Sequence, residues 1–274
     1  MTRHWLDGRF IDAEAARIDP ADRGFLLGDG AFETMRVEAG AIRRWDRHRA
    51  RLSSALELLE IEAPDWAEAE RAARVLAEEA GLSDAVARLT VTRGPRGRGF
   101  DMSAGAPGTV LMSVSALPGP LAPPELVTID APRREPTSLS ARFKSLGYAD
   151  ALHARRRALA RGGDMAVMLS SAGDPACADC ANLIWIAGDE AFTPALSTGA
   201  MPGTTRAALL DAAAGAGLRL REGEFDRAAL NAAEAVAVTN AVIAVAPCAS
   251  LDGRALDTAH PIIKALQSLE RSAA

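Results

Sequence analysis

The chain has 274 residues, of which 49% are hydrophobic and 24% are charged, and its formal net charge is −5 at pH 7. This composition is typical of a soluble globular protein with one large or two medium domains. The negative charge argues against nucleic acid or an anionic membrane as the main partner. No segment is long and apolar enough to span a bilayer, and the first residues do not resemble a signal peptide. We therefore expect a cytoplasmic protein.

The first 117 residues predict a small domain of strands and helices. Residues 4–11 predict two short strands joined by a turn at Asp7 and Gly8. Three glycines between residues 24 and 30 allow close backbone approach, and the alternation over residues 32–37 predicts a strand. Helices are predicted over residues 46–60 and from Asp65, where Glu68 completes a capping box, to Gly81. Residues 85–92 and 108–117 predict further strands.

A loop rich in arginine follows the strand predicted over residues 85–92. Arg93, Arg96 and Arg98 lie among three glycines and one proline. Positive charge concentrated at a strand end suits an anionic ligand such as a carboxylate. The alternative is a solvated basic loop without a ligand.

Residues 118–124, which contain four prolines, predict a linker between two domains. The second domain, residues 125–274, predicts strands over 126–131, 165–169, 182–187, 218–222 and 236–241. Helices are predicted over 148–161, from 204 to 215 or 217, and from 257 onward, and Cys177 is predicted in a loop. The mixture predicts an α+β or mixed α/β fold of two domains.

Cysteine spacing predicts no metal site. Cys177 and Cys180 are spaced C-x-x-C, and the third cysteine is Cys248. No second pair completes a zinc site, and no strand-turn-helix context indicates a redox motif.

Lys144 is the first candidate for a chemical role, because it is the only lysine between Met1 and His260. Its neighbours Phe143 and Leu146 are apolar, and desolvation lowers the pKa of a lysine, as an imine-forming amine requires. Tyr148, the only tyrosine, follows four residues later. The alternative interpretation is a surface lysine beside a core tyrosine.

A phosphate-binding helix start is predicted at Met201-Pro202-Gly203-Thr204-Thr205-Arg206. The free backbone N–H groups and the dipole of a helix favour an anion at this end. The alternative is that Thr204 and Thr205 only cap the helix.

Seven stretches together resemble the class IV aminotransferases, the fold-type IV enzymes that use pyridoxal 5′-phosphate. They are DRGFLLGDGAFETMRV, DRHRARL, TRGPRGRGF, KSLGY, CANLIW, MPGTTR and TNAVIAVAP, in the family's order and spacing. The resemblance extends from Trp5 to about Arg254. It implies a two-domain fold of the D-amino-acid aminotransferase type, pyridoxal 5′-phosphate as cofactor, a homodimer, and a small substrate with amino and carboxylate groups.

The resemblance also assigns roles to individual residues. It implies that Lys144 forms an imine with the cofactor, that Tyr148 hydrogen-bonds the cofactor's phenolic oxygen, and that Arg51 contacts the phosphate. The other implied cofactor contacts are Cys177, Thr204, Thr205, Asn240 and the backbone N–H of Ala241. The implied substrate contacts are Phe32, Arg93, Arg96 and Arg98, with Arg98 at the position of a carboxylate-binding arginine.

Cys177 departs from the family pattern, which usually has a glutamate here, at the pyridine nitrogen of the cofactor. A carboxylate keeps that nitrogen protonated and the ring a strong electron sink, whereas a neutral thiol does so poorly. Elimination needs less delocalisation than transamination, so Cys177 favours lyase chemistry. Asp174 or Asp179 could instead reach the nitrogen if the loop is rearranged.

The resemblance allows three functions, which the sequence motifs rank by how closely each matches. The arginine loop, the A-N-L-x-W run and the Pro-Cys after the Thr-Asn turn look closest to 4-amino-4-deoxychorismate lyases, which release pyruvate and 4-aminobenzoate, a folate precursor. The second alternative is an aminotransferase for D-amino acids, branched-chain amino acids or amines. The third is a degenerate homologue without activity.

Overall fold

The computed structural model describes residues 3–100, 105 and 107–273. Its internal contacts divide the chain into two units. The first comprises the residues up to Pro118 together with Phe143–Gly147, and the second comprises Gly119–Arg142 and Tyr148–Ala274. Within the part of the chain that is described, no helix combines the length and hydrophobicity that a membrane crossing needs.

The first unit is built on an antiparallel sheet with strand order β2-β1-β6-β5-β3-β4. Its described strands are β1 (Arg3–Leu6), β2 (Arg9–Asp12), β3 (Gly30–Glu38), β4 (Ala41–Ile42), β5 (Asp84–Thr92) and β6 (Val110–Ala116). Its described α-helices are α1 (Arg23–Leu27), α2 (Trp45–Leu59) and α3 (Trp66–Glu79), and a 3₁₀ turn spans Ala13–Ala15.

Local chemistry explains much of this unit. Asp7 and Gly8 both have positive φ, 48° and 83°, as the predicted tight turn between β1 and β2 requires. The carboxylate of Asp65 accepts from the backbone N–H of Glu68, which is one half of the predicted capping box of α3, whereas the carboxylate of Glu68 pairs with Arg71. The apolar faces of α2 and α3 pack with alternate residues of the sheet in one buried core, which places α2 directly against β3.

The segment Phe143–Gly147 extends the sheet of the first unit along β3. The backbone N–H of Phe32 donates to the carbonyl of Lys144 at 3.0 Å, and that of Leu146 donates to the carbonyl of Gly30 at 3.2 Å. Glycine is required at position 30, since a Cβ there would clash with the carbonyl oxygen of Val91. The sequence predicted Lys144 in the second domain, and this prediction is wrong because these long-range backbone bonds attach it to the first unit.

The described residues of the second unit form two five-stranded sheets with orders β12-β11-β10-β13-β14 and β16-β15-β7-β8-β9. The strands are β7 (Glu125–Arg134), β8 (Met165–Ser170), β9 (Pro175–Ala178), β10 (Asn182–Ala187), β11 (Glu190–Pro194), β12 (Leu220–Gly223), β13 (Ala235–Asn240), β14 (Ala244–Pro247), β15 (Ser250–Leu251) and β16 (Arg254–Ala255). The α-helices are α4 (Leu139–Arg142), α5 (Ala149–Ala160), α6 (Thr204–Ala213), α7 (Arg227–Asn231) and α8 (Pro261–Ser272), with 3₁₀ turns at Leu196–Thr198 and Ala214–Ala216.

The mixed helix-and-sheet fold predicted from the sequence is confirmed, with one local correction. Cys177 lies in β9, which pairs antiparallel with β8, and not in a loop. All four residues of β9 are buried, so this short strand lacks the alternation of apolar and polar residues that reveals a half-buried strand.

Candidate functional site

Lys144 is half-buried, and its amine lies against an aromatic ring. The Nζ atom is 4.2 Å from the centre of the Phe32 ring, and the guanidinium carbon of Arg88 is 3.6 Å from the same centre. Phe32 is 6% exposed. Two basic side chains therefore lie within cation–π distance of one nearly buried ring.

Arg88 was missed in the sequence. It stands in β5, a strand whose other residues between Ala85 and Val91 are apolar apart from Thr90. An arginine in such a strand is the signal that could have drawn attention to it, because a charged side chain in a mostly buried strand needs a partner. Only the pairing of β5 with β3 shows that this partner is the ring beside Lys144.

Arg51 is held by a buried carboxylate. Its Nε and Nη2 atoms donate to the two oxygens of Glu33 at 2.7 and 2.6 Å, and His48 Nδ1 is 2.6 Å from Glu33 Oε2. Glu33 and His48 are each 1% exposed. Burial by itself would raise the pKa of Glu33, but the charge of Arg51 and hydrogen bonds from His48 and Arg51 lower the pKa to about 2. Glu33 is therefore ionised near neutral pH.

Neighbouring residues of β3 thus contact two of the predicted site residues. Phe32 touches Lys144, and Glu33 binds Arg51. Successive residues of a strand point to opposite faces, so the side chains of Phe32 and Glu33 leave β3 on opposite sides.

The arginine loop is anchored through Asp29. Arg93 donates to both oxygens of Asp29, at 2.7 and 3.2 Å, and also to the carbonyls of Leu59 and Glu60. Arg23 donates to Asp29 and to the carbonyl of Gly99, at the far end of the loop. Burial would raise the pKa of Asp29, but hydrogen bonds and charge from Arg93 and Arg23 lower it below its ordinary value.

The three predicted substrate arginines therefore differ. Arg93 is engaged by one carboxylate and two carbonyls, so it is better suited to holding the loop than to binding a substrate. Arg96 is half-buried and donates to the carbonyl of Pro95. Arg98 is exposed, as a residue that meets a ligand from solvent can be.

In the second unit, Thr204 and Thr205 occupy the first turn of α6. The residue at the helix cap is Gly203, so neither threonine is the N-cap. The hydroxyl of Thr205 is buried and has no hydrogen-bond partner among the described residues. An unsatisfied buried hydroxyl beside the free N–H groups of a helix start fits a phosphate group.

Asn182 shapes this helix start. Its side-chain amide donates to the carbonyl of Met201 at 2.9 Å. A Cβ on Gly203 would clash with the amide oxygen of Asn182, so glycine is required there. Asn182 is 3% exposed and thereby holds the turn that leads into α6.

Cys177 is a buried neutral thiol. It packs in an apolar cluster with β7, β8 and α5, and burial raises its pKa to about 11, despite the opposing charge of Arg134. The carboxylates of Asp174 and Asp179, the alternative partners of the ring nitrogen, have different surroundings. Asp179 is bound by Arg155 at 2.6 and 2.7 Å and by the backbone N–H of Ala166, whereas Asp174 makes backbone contacts with Ser170. Asp179 is therefore already neutralised by a specific partner.

The remaining predicted cofactor contacts lie at element ends. Tyr148 is half-buried and precedes the first residue of α5. Asn240 ends β13, and its side-chain oxygen accepts from the backbone N–H groups of Val242 and Ile243. This turn leaves Ala241 half-buried at its first position.

Comparisons with a family model and with individual proteins agree on one family. A model of the family described as amino-transferase class IV matches residues 30–251. The chain is 30% identical over 257 residues to an aminodeoxychorismate lyase of Bacillus subtilis (strain 168), covering 90% of this chain and 86% of that protein. It is 25% identical over 266 residues to a D-alanine aminotransferase of Bacillus licheniformis, covering 93% and 90%.

A solved structure has the same fold. The branched-chain amino acid aminotransferase of Escherichia coli superimposes with a TM-score of 0.91 at 22% identity, covering 97% of this chain and 92% of that one. The likeness thus spans both units of the chain.

Proposed function

The chain belongs to the class IV aminotransferase family, and we propose that within this family it is a 4-amino-4-deoxychorismate lyase. Like the family, it is an enzyme that depends on pyridoxal 5′-phosphate. In the proposed reaction the substrate loses pyruvate and becomes 4-aminobenzoate, a precursor of folate. The identity to a lyase of Bacillus subtilis supports this choice.

The residues of the chain fit the cofactor. In the second unit, the start of α6, with the unsatisfied hydroxyl of Thr205, and the backbone of Ala241 would hold its phosphate. The resemblance to the family assigns Arg51 of the first unit to the same group. Lys144 would bind its aldehyde carbon, and Tyr148 its phenolic oxygen. Bound pyridoxal phosphate supplies an electron sink for negative charge on the carbon next to the substrate's amine.

Lys144 would carry the proton transfer. Its amine, once the substrate's amino group has replaced it at the aldehyde carbon, would take the hydrogen from the amine-bearing ring carbon of the substrate. The bond between the ring and the enolpyruvyl oxygen then breaks, and this oxygen leaves with its electron pair. The enolpyruvate takes up one proton to become pyruvate, and the ring becomes aromatic, so atoms and charge balance without a further reactant.

The arginine loop would bind a carboxylate of the substrate. Arg98, supported by Arg96, is the proposed contact because both lie between the two anchored ends of the loop, Arg93 and Gly99. Arg93 and Arg23 would keep the loop in place. Phe32 would hold the Lys144 amine in place through the contact between its ring and Nζ.

The observation that carries the choice of lyase over aminotransferase is Cys177. A buried thiol whose pKa is raised to about 11 is neutral and cannot supply the negative charge that a glutamate would place at the ring nitrogen. The resulting electron sink is weak, and it suffices for an elimination that aromatisation drives forward. Transamination has no such driving force.

The test is product formation from 4-amino-4-deoxychorismate by the purified, cofactor-loaded protein. We expect pyruvate and 4-aminobenzoate in equal amounts, and we expect Lys144→Ala to abolish both. Lys264→Ala is the matched control, since Lys264 lies in α8 of the second unit and takes no part in the proposal. A loaded protein that forms neither product would refute the lyase.

An aminotransferase remains the second candidate, because of the identity to the D-alanine aminotransferase of Bacillus licheniformis. Its sign would be conversion of the bound cofactor to the pyridoxamine form when an amino acid is added. D-alanine and branched-chain amino acids are the substrates to test first.

We also propose a homodimer. The first unit exposes a run of large apolar residues on α1, where Phe25 is 74%, Leu26 58% and Leu27 51% exposed, and Phe100 nearby is 86% exposed. Arg23 of α1 donates to Gly99, which brings this end of the loop to α1. Light scattering of the purified protein tests the proposal, and a monomer at micromolar concentration would refute it.

A further inference from the structure

Arg51 is oriented by a buried pair of side chains that the proposed reaction does not use. Glu33 receives two parallel hydrogen bonds from the Nε and Nη2 atoms of Arg51, at 2.7 and 2.6 Å. The side chains of Glu33 and Arg51 are 2% and 11% exposed. This bidentate geometry fixes the plane of the guanidinium as well as its position.

His48, a residue of α2, contacts the same carboxylate. Its Nδ1 atom is 2.6 Å from Glu33 Oε2, the same oxygen that Arg51 Nη2 contacts. Because the pKa of Glu33 is lowered to about 2, the carboxylate is ionised and can only accept hydrogen bonds, so Nδ1 must carry the hydrogen of this contact. His48 thus restrains the carboxylate that restrains Arg51.

We propose that Glu33 and His48 are positioning residues that orient Arg51 toward the cofactor's phosphate. The inference rests on the proposed function, in which Arg51 contacts that phosphate. Neither residue touches the phosphate itself: Glu33 acts through Arg51, and His48 acts through Glu33.

A carboxylate beside a phosphate-binding arginine has two opposing effects. It cancels part of the positive charge, which weakens phosphate binding, and it immobilises a long flexible side chain, which strengthens it by removing an entropic cost. The burial of the pair and its two short bonds favour the second effect. Charge cancellation needs only proximity, whereas a shared carboxylate oxygen and two parallel bonds define an orientation.

The same strand offers a matched control. Glu38 of β3 also pairs with an arginine, Arg36, at 2.7 Å, but its side chain is 36% exposed and that of Arg36 is 26% exposed. Glu38→Gln therefore removes a glutamate–arginine pair from the same strand without touching Arg51.

The experiment measures how strongly the apoprotein prefers pyridoxal 5′-phosphate over pyridoxal, which lacks the phosphate. Affinities for both compounds are obtained by absorbance titration of wild type, Glu33→Gln, Arg51→Met, the double variant and Glu38→Gln. A purely structural loss weakens both compounds alike and leaves their affinity ratio unchanged. A loss of phosphate orientation lowers the ratio.

We expect Glu33→Gln to lower the ratio about tenfold, which is about 1.4 kcal/mol. Arg51→Met is expected to lower it at least as much, and Glu33→Gln is expected to have no further effect when Arg51 is already Met. Glu38→Gln is expected to leave the ratio unchanged. If Glu33→Gln fails to fold, His48→Gln, which keeps the carboxylate, is expected to lower the ratio by a smaller factor.

The outcomes test two claims separately: that Arg51 contacts the phosphate, and that Glu33 and His48 position Arg51. An unchanged ratio in Arg51→Met would overturn the assignment of Arg51 to the phosphate, and the positioning role would fall with it. A lowered ratio in Arg51→Met with an unchanged or raised ratio in Glu33→Gln would overturn the positioning role alone. For a poorly folding Glu33→Gln, an unchanged ratio in His48→Gln would do the same.

Discussion

Replacing Cys177 by glutamate tests whether this position is as apolar as its surroundings indicate. The thiol is 6% exposed and lies in a cluster formed by Val127, Ile129 and other apolar residues of the second unit. The positive charge that acts on this thiol is that of Arg134, whose guanidinium already donates to the carbonyls of Gly199 and Ser140. We expect the new carboxyl group to bind a proton rather than remain ionised.

The expected loss of unfolding free energy equals the free energy needed to protonate the new carboxyl group. A glutamate with an ordinary pKa of about 4.3 must be protonated against a gap of about 2.7 pH units at pH 7, which costs about 3.7 kcal/mol. At pH 5 the same step costs about 1 kcal/mol. The pKa of the new group is raised on folding, so its folded form is fully favoured below the unfolded pKa and becomes less favoured as pH rises.

The assay is denaturant unfolding of the apoprotein at pH 5 and pH 7, with Cys177→Gln as a control of equal size that does not titrate. We expect the glutamate variant to lose about 2.7 kcal/mol more than the glutamine variant between the two pH values. Equal pH dependence of the two variants would show that the carboxylate finds a cation, and the description of Cys177 as lying in an apolar site would be wrong.

The same variant tests the chemistry in the loaded enzyme. A carboxylate at the ring nitrogen would strengthen the electron sink, so Cys177→Glu should gain conversion of the bound cofactor to the pyridoxamine form with D-alanine or a branched-chain amino acid. A variant that binds cofactor and gains no such half-reaction would contradict the argument that Cys177 favours elimination.

Two further predictions concern the start of α6, where the phosphate is proposed to bind, and the arginine loop. Gly203→Ala should weaken pyridoxal phosphate binding at least tenfold, because its Cβ clashes with the amide that holds the turn, whereas Gly215→Ala, with open space around it, should not; absorbance titration compares them. Asp29→Asn should lower the unfolding free energy by about 1 kcal/mol at pH 7. Since the pKa of Asp29 is lowered on folding, this difference should be complete above the ordinary pKa of an aspartate and should be lost as pH falls from there through the lowered pKa of the folded protein. Equal unfolding free energies of the Asp29 variant and wild type at pH 7 would exclude a stabilising role for this pair.

The features that the sequence predicted best depend on neighbouring residues. The turn at Asp7 and Gly8 needs only two residues that tolerate positive φ, and the start of α3 needs only a carboxylate three residues before a free N–H. The strand over Asn182–Ala187 was predicted with the observed bounds because it is a short, apolar run. The candidate site residues were reached in a different way, since only their joint resemblance to a family identified them.

What the sequence determined by itself was therefore local structure, the mixed fold and the family. Tertiary structure alone decided that Lys144 is attached to the first unit, since the backbone bonds between β3 and Phe143–Gly147 join residues more than a hundred positions apart. It also decided that Glu33 contacts both His48 and Arg51 and that Arg88 shares a ring with Lys144. The physical reason is the same in each case. Hydrogen-bond and ring partners are selected by strand pairing and by the packing of a helix on a sheet, which no local pattern of residues encodes.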